Sequence, residues 1–295
     1  MKKILVTGAS GYIGGNLFKY LKQRNNFEIF AIDNKNGGVS DVEKLNLSNE
    51  SNVKDYFQNN FFDIVFHFAG SLHSSNFEKL FLSNVIAAKN ILESIKKKDT
   101  IVYLIGTADQ YGNYLDRPQR ESDLLKPVSS YGLTKLMQEE IGKYYLNKYK
   151  MNIIFLRIYN IYGESQQDNF IIPKFINKIK ETIKNEKNIN DFKSNIVRDF
   201  IYIEDFFNIL LKTIHINQSG LVLNIGTGKP IKINDILNNL CNHSRIKKII
   251  NYDGIIEDKI SYQVANVERL KKIIGDFKFT DVYRKTTEML ISKIY

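Results

Sequence analysis

The sharpest chemical pattern in this 295-residue chain is a tyrosine four positions ahead of a lysine, Tyr131 and Lys135 in Ser130-Tyr131-Gly132-Leu133-Thr134-Lys135. On a helix the two share one face. A free tyrosine titrates near ~10 and is a poor base at neutral pH. A neighbouring ammonium favours the phenolate and brings the phenol toward general acid–base use. Thr107 ends the strand predicted before this helix, where its hydroxyl can hydrogen-bond a substrate oxygen. Tyr-x-x-x-Lys also arises by accident on surfaces, so its meaning rests on what surrounds it.

A second constellation supplies that context. Thr7-Gly8-Ala9-Ser10-Gly11-Tyr12-Ile13-Gly14 joins a predicted strand to a predicted helix. Gly8 makes the tight turn, Gly11 lets the backbone approach a pyrophosphate, and Gly14 allows close helix–strand packing. The N–H groups at the helix start, at Tyr12 and Ile13, face the phosphates with the positive end of the helix dipole. Asp33 ends the second predicted strand, where a carboxylate grips the adenosine ribose hydroxyls. The chemistry is dinucleotide binding. Asp33 repels a 2′-phosphate, which favours NAD over NADP; Lys35 nearby leaves NADP possible.

The elements that must position these groups alternate. Lys3–Thr7, Glu28–Ile32, Asp63–Phe68, Thr100–Ile105 and Asn152–Ile158 read as strands. Amphipathic stretches between them read as helices, among them 49–60, 76–97 and 130–149. Unbroken apolar strands alternating with such helices predict an α/β, doubly wound parallel-sheet Rossmann domain. Residues 1–163 are assigned to it. Residues 164–295 form a smaller, partly interleaved α/β C-terminal lobe for the substrate. There, helices are expected at 173–185, 201–214, 234–243, 266–274 and 281–294, with a strand at 221–225.

Composition excludes several classes. Hydrophobic residues at 43% and charged residues at 25% fit a globular protein. A single cysteine excludes a disulfide scaffold, and neither a Cys pair nor H-x-x-x-H supports a metal. Ile4-Leu5-Val6 is too short for a signal h-region, and no stretch approaches a membrane span; the expectation is a cytoplasmic protein. The net charge of +10 is scattered and carries no nucleic-acid signature. It suits small anionic ligands. His67 reads as a packed core residue, whereas His73 on the following loop can reach a substrate pocket.

The chain resembles the extended short-chain dehydrogenase/reductases, the nucleotide-sugar epimerase/dehydratase/reductase group. Seven segments in the family's order carry the likeness: residues 7–14, 67–70, 106–112, 131–135, 156–163, 198–205 and 224–228. The resemblance implies that Tyr131 is the general acid/base at a sugar hydroxyl or ketone. Lys135 holds the nicotinamide ribose, and Thr107 hydrogen-bonds the reacting oxygen. Phe68 and Ala69 lend backbone to the cofactor, whose nicotinamide end lies near Tyr159. Asn46 and Leu47 stand at the adenine edge. Asn84, Ala108, Asn160 and Arg198 meet the nucleotide-diphosphate sugar, Arg198 on the diphosphate, where a bidentate guanidinium suits phosphate. A homodimer through the helices at 76–97 and 130–149 is implied too, as is a place in polysaccharide biosynthesis.

Departures narrow the activity. Asn46 replaces the family's aspartate at the adenine edge. Gly254-Ile255-Ile256-Glu257-Asp258 lacks the second diphosphate arginine, for which Lys247, Lys248 or Lys259 are substitutes. Ala108-Asp109 after Thr107 lacks the Asp-Glu pair of the dehydratases. The reading is hydride transfer at a sugar carbon, at C4, by a 4-keto-6-deoxyhexose reductase. The alternative is an NAD-dependent nucleotide-sugar 4-epimerase. A non-catalytic NAD(H)-binding Rossmann module is the remote alternative, since Tyr131, Lys135 and Thr107 are all present.

Overall fold

The computed structural model describes residues 1–24, 26–35, 41–72, 74–185, 195–216, 218–244 and 261–294. The chain runs β1 (Lys2–Thr7), α1 (Tyr12–Lys22), β2 (Phe27–Asp33), β3 (Glu43–Lys44), α2 (Glu50–Asn59), β4 (Ile64–His67), α3 (Phe77–Leu80), α4 (Ala87–Ile95), β5 (Ile101–Thr107), α5 (Ser130–Tyr149) and β6 (Asn152–Ile158). It continues with β7 (Asn160–Tyr162), α6 (Ile171–Asn185), β8 (Ile196–Arg198), β9 (Phe200–Tyr202), α7 (Ile203–Thr213), β10 (Val222–Ile225), β11 (Ile231–Lys232), α8 (Ile233–His243), β12 (Ser261–Gln263), α9 (Glu268–Ile274) and α10 (Val282–Ile294).

The contacts divide the chain into two compact units. The first comprises residues 1–112, 121–158 and 214–224. It contains a seven-stranded sheet in the order β10-β6-β5-β4-β1-β2-β3. β1 pairs in parallel with β2 on one side and β4 on the other, and β5 pairs in parallel with β4 and β6. Strand order therefore reverses at β1, and in open α/β sheets ligands bind beyond the strand ends at such a reversal. Leu5, Val65, Val102 and Phe155 from the strands pack with Phe57, Ile91 and Leu92 from α2 and α4 into the core. Each side chain of this kind contributes about 1.5–3 kcal/mol on full burial. That rigid sheet fixes the strand ends where the chemistry-bearing residues stand.

The second unit comprises residues 113–120, 159–213 and 225–295. β8 pairs antiparallel with β11 and parallel with β12, and β7 pairs in parallel with β9. Helices α6, α8 and α10 pack on one another.

Two elements differ from the sequence expectation. The helix expected over 76–97 is α3 and α4 joined by a π-helical turn, Phe81–Ile86. The helix expected from 201 begins at Ile203, because Phe200–Tyr202 pairs with β7 instead. Pairing with a distant strand overrides the local helical pattern there.

Candidate active site

β1 ends in a turn that only glycine can make. Gly8 has φ +72°, and a Cβ there would lie 2.6 Å from the Ala69 nitrogen and 2.8 Å from the Phe68 carbonyl carbon. The turn thus packs directly on the backbone leaving β4. A Cβ on Gly14 would lie 2.4 Å from the Gly8 oxygen, so α1 also sits against the turn. Thr7 ties the same two strand ends together. Its Oγ1 accepts from Ala69 N at 3.1 Å and shares a 2.9 Å hydrogen bond with His67 Nδ1. Burial, helped by the Lys135 charge, pushes His67 down to about 3, so it is a neutral core residue.

Asp33 closes the other side of the turn. Its carboxylate accepts from Ser10 N at 3.0 Å and Lys35 N at 3.2 Å, while Ser10 Oγ donates to Lys35 O at 3.0 Å. A glycine cradle with a carboxylate at its rim fits a dinucleotide with free ribose hydroxyls. Asn46 is exposed, its Oδ1 accepting from Ser48 N. The Leu47 side chain is in the core, and its carbonyl accepts from buried Asn90.

The catalytic candidates come together at the start of α5. Ser129 caps the helix by accepting from Gly132 N at 3.0 Å, which sets Tyr131 in the first turn. The Tyr131 phenol hydrogen-bonds Thr107 at the end of β5. Lys135, one turn on, is buried and donates from Nζ to Gln138 Oε1 at 2.8 Å. Asn84, in the π-helical turn, stands beside it: a Cβ on Gly70 would lie 2.6 Å from Asn84 Oδ1 and 3.8 Å from Lys135 Nζ.

Two sequence expectations change here. Tyr131 is not drawn toward neutrality. Burial raises its pKa, the Asp109 charge raises it further, and the Thr107 hydrogen bond opposes both. Burial instead acts on Lys135, pulling it down to about 7. Spacing identified the pair, but the desolvation that sets their protonation is invisible in a sequence. Asn84 also differs from the substrate contact that the resemblance implies. It is fully buried, its Nδ2 donates to Ser71 O and Thr134 Oγ1, and its Oδ1 accepts from Ser71 N. Its amide joins the loop after β4 to α5. Ala108 is buried at the head of the 3-10 turn Ala108–Gln110.

The remaining candidates lie in the second unit. Arg198 donates from Nη1 to Val197 O and Ser261 O, and from Nη2 to Ser261 Oγ. Asp199 is buried, and its carboxylate accepts from Thr227 N and Oγ1, Gly228 N and Ala265 N. Burial raises its pKa against those donors. Asn160 donates from both N and Nδ2 to Asp199 O. Tyr159 is buried and donates to Gln119 Oε1 at 2.9 Å. His73 and the candidate substitutes Lys247, Lys248 and Lys259 lie outside the described residues. Among the described residues no group of His, Cys, Asp and Glu could hold a metal, and no helix is long and apolar enough to cross a membrane.

Residues 4–226 match the model of the NAD dependent epimerase/dehydratase family. The chain belongs to that family. It is an enzyme of the extended short-chain dehydrogenase/reductase group. The GDP-6-deoxy-D-talose 4-dehydrogenase of Aggregatibacter actinomycetemcomitans is 29% identical over 302 residues, covering 99% of this chain and 98% of that protein. A putative UDP-glucose 4-epimerase of Methanocaldococcus jannaschii is 31% identical over 256 residues, covering 79% of each. The solved UDP-glucuronic acid 4-epimerase of Bacillus cereus in complex with NAD superposes with a TM-score of 0.83 at 23% identity, covering 99% of both chains. Its likeness bears on the fold.

Proposed function

We propose that this family member reduces the C4 ketone of a nucleotide-diphosphate-linked 4-keto-6-deoxyhexose, using NAD(P)H. The observation that carries the reading is the Tyr131–Thr107 hydrogen bond at the end of β5, with Lys135 buried one helical turn further on. When bound, the nicotinamide supplies the hydride. Tyr131 gives its phenolic proton to the C4 oxygen, and its high pKa keeps that proton available at neutral pH. Thr107 orients the same oxygen. Lys135 takes the nicotinamide ribose, the turn from Gly8 to Gly14 takes the pyrophosphate, and Asp33 takes the adenosine ribose. Asp33 favours NADH; Lys35 leaves NADPH open. Asn84 positions α5 rather than touching sugar. Arg198 takes the sugar-linked diphosphate.

The near full-length match to a 6-deoxysugar 4-dehydrogenase supports the reductive reading, since the same hydride step runs in both directions. The match to a putative 4-epimerase supports the alternative. The test is to denature the purified protein and quantify released dinucleotide. Nucleotide-linked 4-keto-6-deoxysugars are then supplied with NADH or NADPH, and loss of reduced cofactor is followed. A reductase purifies largely empty and consumes reduced cofactor one for one. Near-stoichiometric bound NAD, with interconversion of hydroxyl epimers and no consumption on any keto sugar, establishes the epimerase instead.

A homodimer belongs to the same reading. Phe77, Leu82, Leu133 and Tyr144 expose apolar surface on α3, the π-helical turn and α5, which supports pairing through those helices. The product class feeds polysaccharide synthesis in the cytoplasm.

A further inference from the structure

We propose that Gln110 is a positioning residue that ties the backbone of Thr107 to α5 through Glu139, and so sets the Thr107–Tyr131 geometry. The inference rests on the reading in which Thr107 orients the reacting oxygen.

Gln110 closes the 3-10 turn directly after β5 and is 0% exposed. Both ends of its amide are used. Oε1 accepts from Thr107 N at 2.8 Å, and Nε2 donates to Glu139 Oε2 at 2.8 Å. The partners fix the amide's orientation, because a backbone N–H needs an acceptor and a carboxylate needs a donor. Gly106 makes the fold-back feasible: a Cβ there would lie 2.3 Å from Gln110 Oε1.

Glu139 stands one helical turn beyond Lys135 on the same face of α5, itself 2% exposed. Arg157 of β6 grips it with Nε at 3.0 Å and Nη2 at 2.6 Å, and Lys143 adds a contact at 2.9 Å. Arg157 Nη1 in turn donates to Tyr111 Oη, and Tyr111 donates to Asn224 Oδ1. Glu139 is thus an anchor that cannot drift. An apolar residue at position 110 would strand a buried N–H at Thr107 and remove a donor from a buried carboxylate. Thr107 would then be free to shift relative to α5, and a 1 Å error in a reacting group costs about 10²-fold in rate.

The test compares wild type, Gln110→Leu, Thr107→Val and the double variant. It adds Gln110→Asn, an amide one methylene too short to reach Thr107 N and Glu139 together. Two readouts are taken on the intact protein: hydrogen exchange at the Thr107 amide, and turnover of a nucleotide-linked 4-keto-6-deoxyhexose with NADH or NADPH. Gln110→Leu is expected to speed exchange and lower kcat by about 10²-fold with KM little changed. In the Thr107→Val background it should add almost nothing, and Gln110→Asn should likewise speed exchange and lower kcat. Losses that multiply in the double variant, or unaltered Thr107 exchange in Gln110→Leu, overturn the proposal. If Gln110→Leu does not fold, Gln110→Asn decides: unaltered Thr107 exchange there overturns it. A wild type inactive on every keto sugar would sink the reductase reading, while the exchange measurement still decides the tie between Thr107 and Glu139.

Discussion

Lys135 donates to Gln138 at 2.8 Å, so the buried ammonium faces an uncharged oxygen on its own helix. Gln138 passes the contact on by donating to Ile105 O of β5. Burial holds Lys135 at about 7 against an ordinary value near ~10.4. The Lys135 charge helps burial hold His67 of β4 neutral above about 3, and Tyr131 lies one turn before Lys135 on α5.

The sign of the resulting pH dependence follows. Between about 7 and ~10.4 the unfolded chain keeps the Lys135 proton and the folded chain does not, so this group's contribution to stability rises with pH across that window. Below it the buried charge is at its most costly. Lys135→Met is therefore expected to raise the Tm of the cofactor-free protein at pH 6, with the gain shrinking toward pH 10. A gain that does not vary with pH would place the lysine's charge in solvent.

Tyr131→Phe should lower turnover by about 10²–10⁴-fold, the usual weight of positioned proton transfer. It should leave NADH affinity nearly intact, because the phenol is bonded to Thr107 rather than to the glycine turn. Steady-state kinetics beside a fluorescence titration of NADH measures both, and undiminished turnover would remove Tyr131 from the mechanism.

Asp33→Ala removes the acceptor of Ser10 N as well as the ribose partner. NAD affinity should fall and discrimination against NADP should relax. Asp33→Asn should fall between, since an amide oxygen still accepts from Ser10 N. Unchanged dissociation constants for both cofactors would assign the ribose to another residue.

Arg157→Leu leaves Glu139 buried with its bidentate partner gone, which should cost about 3–5 kcal/mol of stability. Arg157→Leu combined with Glu139→Leu should recover only part of that loss, because two apolar side chains replace the pair while the buried Gln110 Nε2 is left without its acceptor. Urea denaturation of the wild type and the two variants checks the ordering. A double variant as unstable as the single one would mean that packing, not the stranded charge, sets the cost.

Placements that follow from local spacing were legible in the sequence. Gly8 and Gly14 follow from the turn, Tyr131 and Lys135 from the helical repeat, and the central strands from unbroken apolar runs. Partnerships between distant residues were not. Glu139 and Arg157 each read as an ordinary charge until β6 and α5 are packed together, although a lone arginine in the apolar run Asn152–Ile158 is a signal of a buried partner. Short strands such as β7 and β9 have too few residues to show a period. The π-helical turn at Phe81–Ile86 leaves the apolar pattern of its helix nearly unchanged, so Asn84's engaged amide emerges only once that turn is packed against Ser71 and Thr134.

β6 lies inside the sheet only because β10 covers its outer side. β10 is Val222–Ile225, so on the ribosome β6 stands as a bare edge throughout synthesis of residues 159–221. A bare edge offers its N–H and C=O groups to any passing strand. The first unit therefore cannot seal itself as it emerges. Nascent chains halted before residue 222 present a sticky ribbon rather than a stable half-enzyme, and their fate lies with holding factors or aggregation.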